Sequence, residues 1–342
     1  AGYYATGSYN TFVGAEAGKG NSSAPYSSGQ NNTAIGYQAL TAFTTGGENV
    51  ALGYQAGSNM TTGDRNIAIG YQAKAGTVGY DNIVLGKGAG AGFTSGYKNI
   101  VMGNQAAAGH NGIENVVIGH QAMGGGSTGV DKTIIIGYQA AYNINSADAD
   151  GTVAIGYAAG GSITSGRYNT AIGYGALDAE DDGDGNTAVG YQALTAQTGT
   201  SGIVGNTAVG YNAGQSITTG VQNNAFGYTA LANTTTGGAN TGIGYEAGKF
   251  NQTGTGNVFI GDQAGRGVFE NSPGGNVGIG YRALMGITNG SGNVVLGQYA
   301  ADSLTSAQNN VIIGPSAGAT MTTTSYTVLI GDNAGNDINS TD

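Results

Sequence analysis

The chain has 342 residues, a net charge of −10, three prolines, no tryptophan and no cysteine, and glycine supplies 68 positions. The lack of cysteine excludes a disulfide framework and a thiolate zinc site. Ten basic residues spread along an acidic chain argue against a nucleic-acid partner, and no run of 18 apolar residues is present to predict a membrane-spanning helix.

So much glycine suits a disordered linker, but here it falls on a period. Nineteen anchor glycines run from Gly14, Gly36, Gly53 and Gly70 to Gly331, and eleven of the eighteen spacings are 17 residues, the rest running from 16 to 22. A period this short is one supersecondary unit repeated. It predicts a β-solenoid forming a single domain over 1–342, with regular coils over about 8–335. No signal peptide is visible before Ala1, so the chain reads as a processed or excerpted piece of a longer fibre.

Each coil is numbered from its anchor glycine as zero. The first, around Gly14, is followed by a variable stretch, 15–31. The next three are regular, with Asn32, Asn49 and Asn66 at −4, Gly36, Gly53 and Gly70 at zero, and Ala39, Ala56 and Ala73 at +3. Tyr37, Tyr54 and Tyr71 occupy +1 there; Lys87, Asn104 and His120 follow at the same position. Variable stretches at 120–131 and 139–150 flank Tyr138, and the tyrosines resume as Tyr157, Tyr174, Tyr191, Tyr211, Tyr228 and Tyr245. An acidic loop, "DAEDDGDGN", holds Asp178, Glu180, Asp181, Asp182 and Asp184. Two more variable stretches, 192–204 and 263–274, precede Tyr281 and the final coil.

Across the nineteen coils, −1 is always apolar, +3 is always alanine and −4 is asparagine in sixteen, with Thr133, Thr152 and Thr327 as exceptions. Residues −4 to +1 read as a strand, because β-branched side chains dominate −3 and −1. Position −2 is apolar or small as well (Ala34, Val84, Ile135, Phe259), which implies burial on both faces. The expectation is that −1 faces the core of its own coil and that a neighbouring chain covers −2. A second apolar position, +7, holds Phe43, Met60, Phe93, Ile144, Ile163, Ile217, Val268, Ile287, Leu304 and Met321. Two core positions half a coil apart predict a flattened coil of an inner strand, a turn, a short outer strand and a second turn. Glycine at −7 in thirteen coils, Gly46, Gly63 and Gly96 among them, is expected at positive φ in the return turn. The −4 asparagines are expected to stack as an amide ladder, and nineteen rungs at ~4.8 Å predict a rod on the order of 90 Å long.

The motif "N-[TVI]-A-[IVL]-G" followed by "xxA" resembles the head repeat of YadA-type trimeric autotransporter adhesins and similar runs in phage tail-fibre proteins. The resemblance implies a left-handed parallel β-roll, three chains about an axis and an attachment role. The chain departs from it in its longer repeat, in Thr, Val or Ile at −3 where the family has serine, and in lacking a neck and coiled-coil stalk. A three-sided β-helix of hexapeptides is the rival, but it needs apolar residues at +5, where Thr41, Ser58 and Ala75 stand, and 17 does not divide by six.

The +1 tyrosines are the candidate surface-binding ladder, since stacked phenols can dock sugars or another surface. The plainer reading, that the rings pack on each other and close a seam between chains, is preferred. Clustered carboxylates at Asp181, Asp182 and Asp184 suggest Ca²⁺, but position twelve of that loop is Ala193 rather than glutamate, so a solvated loop is the better reading. His110 and His120 lie on different coil positions, and no nucleophile–base set repeats, so no catalytic residue and no cofactor is expected. Regular Thr-x-Thr ladders for an ice-binding face are missing too. Recognition is expected in the variable stretches. The sequence thus predicts an extracellular, homotrimeric β-roll fibre or head on a cell surface or virion, attaching to a glycan or protein receptor. The alternative is the structural subunit of a filament stacked end to end.

Overall fold

The computed structural model describes residues 1–342 except 24, 127–128, 199–200, 337 and 339–342. It divides into two compact units, Ala1–Asn169 and Thr170–Asp342. Each unit is an all-β parallel solenoid of about 17 residues per turn. The first contains nine three-residue strands, from Thr11–Val13 to Val153–Ile155, and the second contains ten, from Thr170–Ile172 to Val328–Ile330. Apart from one short 3₁₀ turn, Ala147–Ala149, no helix is present among the described residues, and none is long and apolar enough to cross a membrane.

The strands are the −3 to −1 segments, and like positions pair with like. Thr33, Ala34 and Ile35 lie against Val50, Ala51 and Leu52. The register survives a 20-residue spacing, with Thr187, Ala188 and Val189 against Thr207, Ala208 and Val209. Extra residues therefore loop outward and leave the ladder intact.

Each strand stops at its anchor glycine, where φ lies between 123° and 142°. An L side chain is strained there. A Cβ on Gly36, Gly53 or Gly70 would also sit 2.5 to 2.8 Å from the carbonyl oxygen of the next anchor glycine. Left-handed backbone recurs at −5 and +2 of every coil and at +4 of most, in ordinary residues such as Glu48, Gln38 and Leu40. These turns close the coil, and rung-to-rung bonds hold them: Gly36 N–H to Val13 O at 2.8 Å, Gln38 N–H to Ala15 O at 3.0 Å, and Leu40 N–H to Ala56 O at 2.9 Å.

The core corrects the expected orientation of the strand. Position −2 points inward: Ala34, Ala51, Ala68, Val84, Val101 and Ile135 are fully buried with the +3 alanines Ala39, Ala56 and Ala73. Position −1 points outward, and Ile35, Leu52 and Met102 are 38–42% exposed. The residue facing the +3 alanine is Ala or Gly in ten of the nineteen rungs and Val, Ile, Leu or Phe in the rest, and +7 adds further large side chains to the core. Phe43, Met60, Phe93, Ile144, Ile163, Ile217, Ile287, Leu304 and Met321 fill that slot as expected, but Val268 is turned out.

Two further expectations are corrected. The outer strand does not form. Among the described residues, apart from one two-residue pair, Gly183–Asp184 with Gly202–Ile203, only isolated bridges occur there, such as Ala5–Ser27 and Ser291–Gln308, because left-handed residues at +2 and +4 interrupt any longer extended run. Turn groups bond directly to the next coil instead, as in Thr44 N–H to Thr61 O at 2.8 Å. The −7 glycines Gly46, Gly63 and Gly96 do not have positive φ. They are glycine because a Cβ would collide with backbone carbonyl oxygen of the next coil.

The amide ladder forms as predicted. Asn49 donates N–H and Nδ2–H to Asn32 Oδ1 at 3.0 and 3.1 Å, and its Nδ2 also reaches Gly63 O at 2.8 Å. Asn66 repeats these contacts on Asn49 and Gly79. Thr133 keeps the ladder going with both its N–H and its hydroxyl on Asn115 Oδ1. The ladder thus matches the buried amides of successive turns to one another and to the −7 carbonyls.

Candidate attachment surfaces

Because −2 faces the core, −1 and −3 form the open face of each sheet. In the first unit Ile35, Leu52, Ile100, Met102 and Ile134 are 38–42% exposed, and in the second Phe226 and Ile243 are 38–39% exposed. Neighbouring strands lie about 4.8 Å apart, so the −1 side chains form an unbroken apolar column along each unit, flanked by a −3 column that is Val or Ile from Val50 to Val153 and from Val258 to Val328 and Thr or Asn elsewhere. Isolated exposed aliphatics need no explanation, whereas a contiguous face of them marks an interaction surface.

The tyrosine column stands at the rim of that face, one residue past the anchor glycine. In the first unit Tyr37, Tyr54 and Tyr71 stack with centroids 5.4 and 5.0 Å apart, and Lys87 continues the column 5.9 Å from the Tyr71 ring. His120, Tyr138 and Tyr157 stack at 5.3 and 5.1 Å. In the second unit Tyr174, Tyr191, Tyr211, Tyr228 and Tyr245 form one run at 5.0–5.3 Å. Tyr281 leaves the pattern and meets Tyr299 edge-on. All eleven are 38–50% exposed, so each ring packs on its neighbours and shows an edge to solvent. Alongside, the +2 residues form an amide column, with Gln55 Nε2 on Gln38 Oε1 at 2.7 Å and Gln72 Nε2 on Gln55 Oε1 at 2.8 Å.

The structure distributes the remaining candidates. His110 fills the +7 core slot of its coil, whereas His120 belongs to the aromatic column. Glu180 also occupies a +7 slot and is fully buried; its carboxylate accepts N–H groups of Asp181 and Gly183 at 3.0 and 2.7 Å and Nδ2–H of Asn186 at 3.2 Å. Burial pushes this carboxyl above its ordinary range, and the charges of Asp182 and Asp181 add to the shift; the two backbone N–H bonds oppose it. Asp184 pairs through Gly183–Asp184 with Gly202–Ile203. Among the described residues no group of three or more His, Asp or Glu is arranged to hold a metal ion. Parts of three variable stretches, residues 24, 127–128 and 199–200, lie outside the described residues.

One cluster was not anticipated. Glu246, Lys249, Phe250, Arg266 and Phe269 converge where the 263–274 stretch leaves its coil. Its trace in the sequence is that Lys249, Arg266 and Arg282 are the only basic residues after Arg167.

The class that this fold defines is the parallel β-solenoid repeat protein. Compared with known proteins, the chain matches no family model and no curated protein.

Proposed function

We propose that the chain is a fibrous attachment protein outside the cell, a trimeric rod or head of the kind found in YadA-type adhesins and phage tail fibres, without enzymatic activity. The observation that carries this reading is the apolar −1/−3 face. The continuous −1 column of part-exposed Ile, Leu, Val, Met and Phe along each unit, widened by Val and Ile at −3 from Val50 to Val153 and from Val258 to Val328, favours association, at roughly 25 cal/mol per Å² of apolar surface removed from water. Parallel chains in register would bring these columns together and leave the tyrosine rims at the seams. The repeat motif adds the analogy to adhesin heads, and the uniform scaffold with irregular loops suits display rather than catalysis.

The test is solution mass together with adhesion. Sedimentation equilibrium should give three chains per particle, and Leu52→Lys with Ile243→Lys should yield monomers with unchanged far-ultraviolet circular dichroism. A monomeric wild-type chain would overturn the trimer. Failure of purified rods to adhere to any bacterial or eukaryotic cell surface would overturn the attachment role.

A further inference from the structure

We infer that the Lys249–Phe250–Arg266–Phe269 cluster of the second unit is a binding site for neutral sugars, an inference that rests on the attachment reading and names its ligand class. The coil following Gly261 is two residues longer than the 17-residue period. It uses the extra length in a particular way. Val268 leaves the +7 core slot and becomes 51% exposed, and Phe269 beside it is 65% exposed. Asn271 is buried instead and donates Nδ2–H to Ile287 O at 3.0 Å. The chain thus presents an aromatic ring to solvent at a point where other coils bury their apolar residue.

Polar groups of both signs gather on its neighbour Phe250. Glu246 accepts from Lys249 Nζ at 2.6 Å and from Arg266 Nε at 2.7 Å. Phe250 lies between the same two cations, with Lys249 Nζ 5.4 Å and Arg266 Cζ 5.0 Å from its centroid, and Phe269 meets it edge-on at 6.1 Å. Glu246 engages the guanidinium through Nε, and the two Nη groups carry four further N–H donors. At the cluster's edge Arg282 pairs with Asp302 and lies 5.4 Å from the Tyr299 ring.

This set matches a pyranose. Its C–H face packs on an aromatic ring such as the exposed Phe269, and its hydroxyls accept from N–H donors such as those of Arg266, which the buried Glu246 holds in place. The charge count selects the neutral class. Lys249, Arg266 and Arg282 are three cations against four carboxylates, Glu246, Asp262, Glu270 and Asp302, so no cationic surplus exists to hold a polyanion.

The test is binding of the full chain to an array of neutral oligosaccharides ending in glucose, galactose, mannose or an N-acetylhexosamine, with acidic glycans alongside. At least one neutral class should be retained. Binding should fall about tenfold or more in Phe269→Ala and in Arg266→Met and persist in Phe269→Tyr, as expected of a central contact. Melting temperature and particle mass should not change in Phe269→Ala, because that ring is exposed. Retention of acidic glycans only, of none, or equal retention by wild type and Phe269→Ala would overturn the assignment. If rods still adhere to cells in those cases, the attachment reading stands without this site.

Discussion

At the residue scale, stability is concentrated in positions that cannot vary and in a few that break the rule. Gly53 combines φ of 131° with a Cβ position 2.8 Å from Gly70 O. Gly53→Ala should cost at least about 1–3 kcal/mol, because it adds a collision to the backbone strain, and chemical denaturation will measure it. Asn66→Ala should cost about 1–3 kcal/mol by stranding two buried partners, Gly79 O and the N–H of Asn82. Glu180 acts in the opposite sense. Its carboxyl titrates higher folded than unfolded, so its proton favours the fold. Its contribution is fully present below the unfolded value and is lost as pH rises through the raised folded value. Glu180→Gln should therefore melt higher than wild type at neutral pH and no higher in acid, and a pH series of melting curves on both proteins checks this. These roles were only partly legible in the sequence. The Asn and Gly columns were visible because they recur, whereas left-handed backbone at +2 was hidden in ordinary residues such as Gln38 and Gln55.

At the scale of the coil, β-branched residues at −3 and −1 established a strand but not which side faces inward. Ile35 and Leu52 at −1 are more hydrophobic than Ala34 and Ala51 at −2, yet the alanines are the core. Hydrophobicity alone does not orient this strand, since the inward column takes alanine as well as Val84, Val101 and Ile135. Its largest buried member is accommodated by small neighbours. Phe259 enters the −2 column with glycine paired on either side, Gly242 and Gly278. Phe259→Ala should thus leave a cavity that neither neighbour fills and cost about 3–5 kcal/mol, read from the unfolding midpoint. The −5 column of the first unit is ordered by charge. Glu48, Arg65, Asp81, Lys98, Glu114 and Lys132 alternate in sign over six consecutive coils, with Arg65 Nε 2.7 Å from Asp81 Oδ1 and Lys98 Nζ 3.6 Å from Glu114 Oε1. In-register stacking sets each charge between opposite ones and penalises any slip by one rung.

At the scale of the molecule, each unit is a one-dimensional stack in which a coil touches chiefly the coils before and after it. The buried columns have the coil, not the residue, as their unit of length. Removing residues 54–70 deletes one whole period and joins Gly53 to Tyr71, so that Asn49 meets Asn82 and Leu52 meets Leu85 with every buried column intact, and only the −5 column, now with Glu48 beside Asp81, loses its alternation. Such a variant should fold, keep its circular dichroism per residue and lose only one coil's increment of stability. Removing eight residues, 58–65, is the smaller change in length but the larger physical insult. It displaces the 60s turn by half a coil, takes Met60 from the core and Gly63 from beneath Asn49, and leaves the Asn49 amide without its carbonyl. That variant should unfold at least locally, with raised amide exchange in the flanking strands Val50–Leu52 and Ile67–Ile69. Equal stability of the two deletions would mean that the columns do not govern the fold.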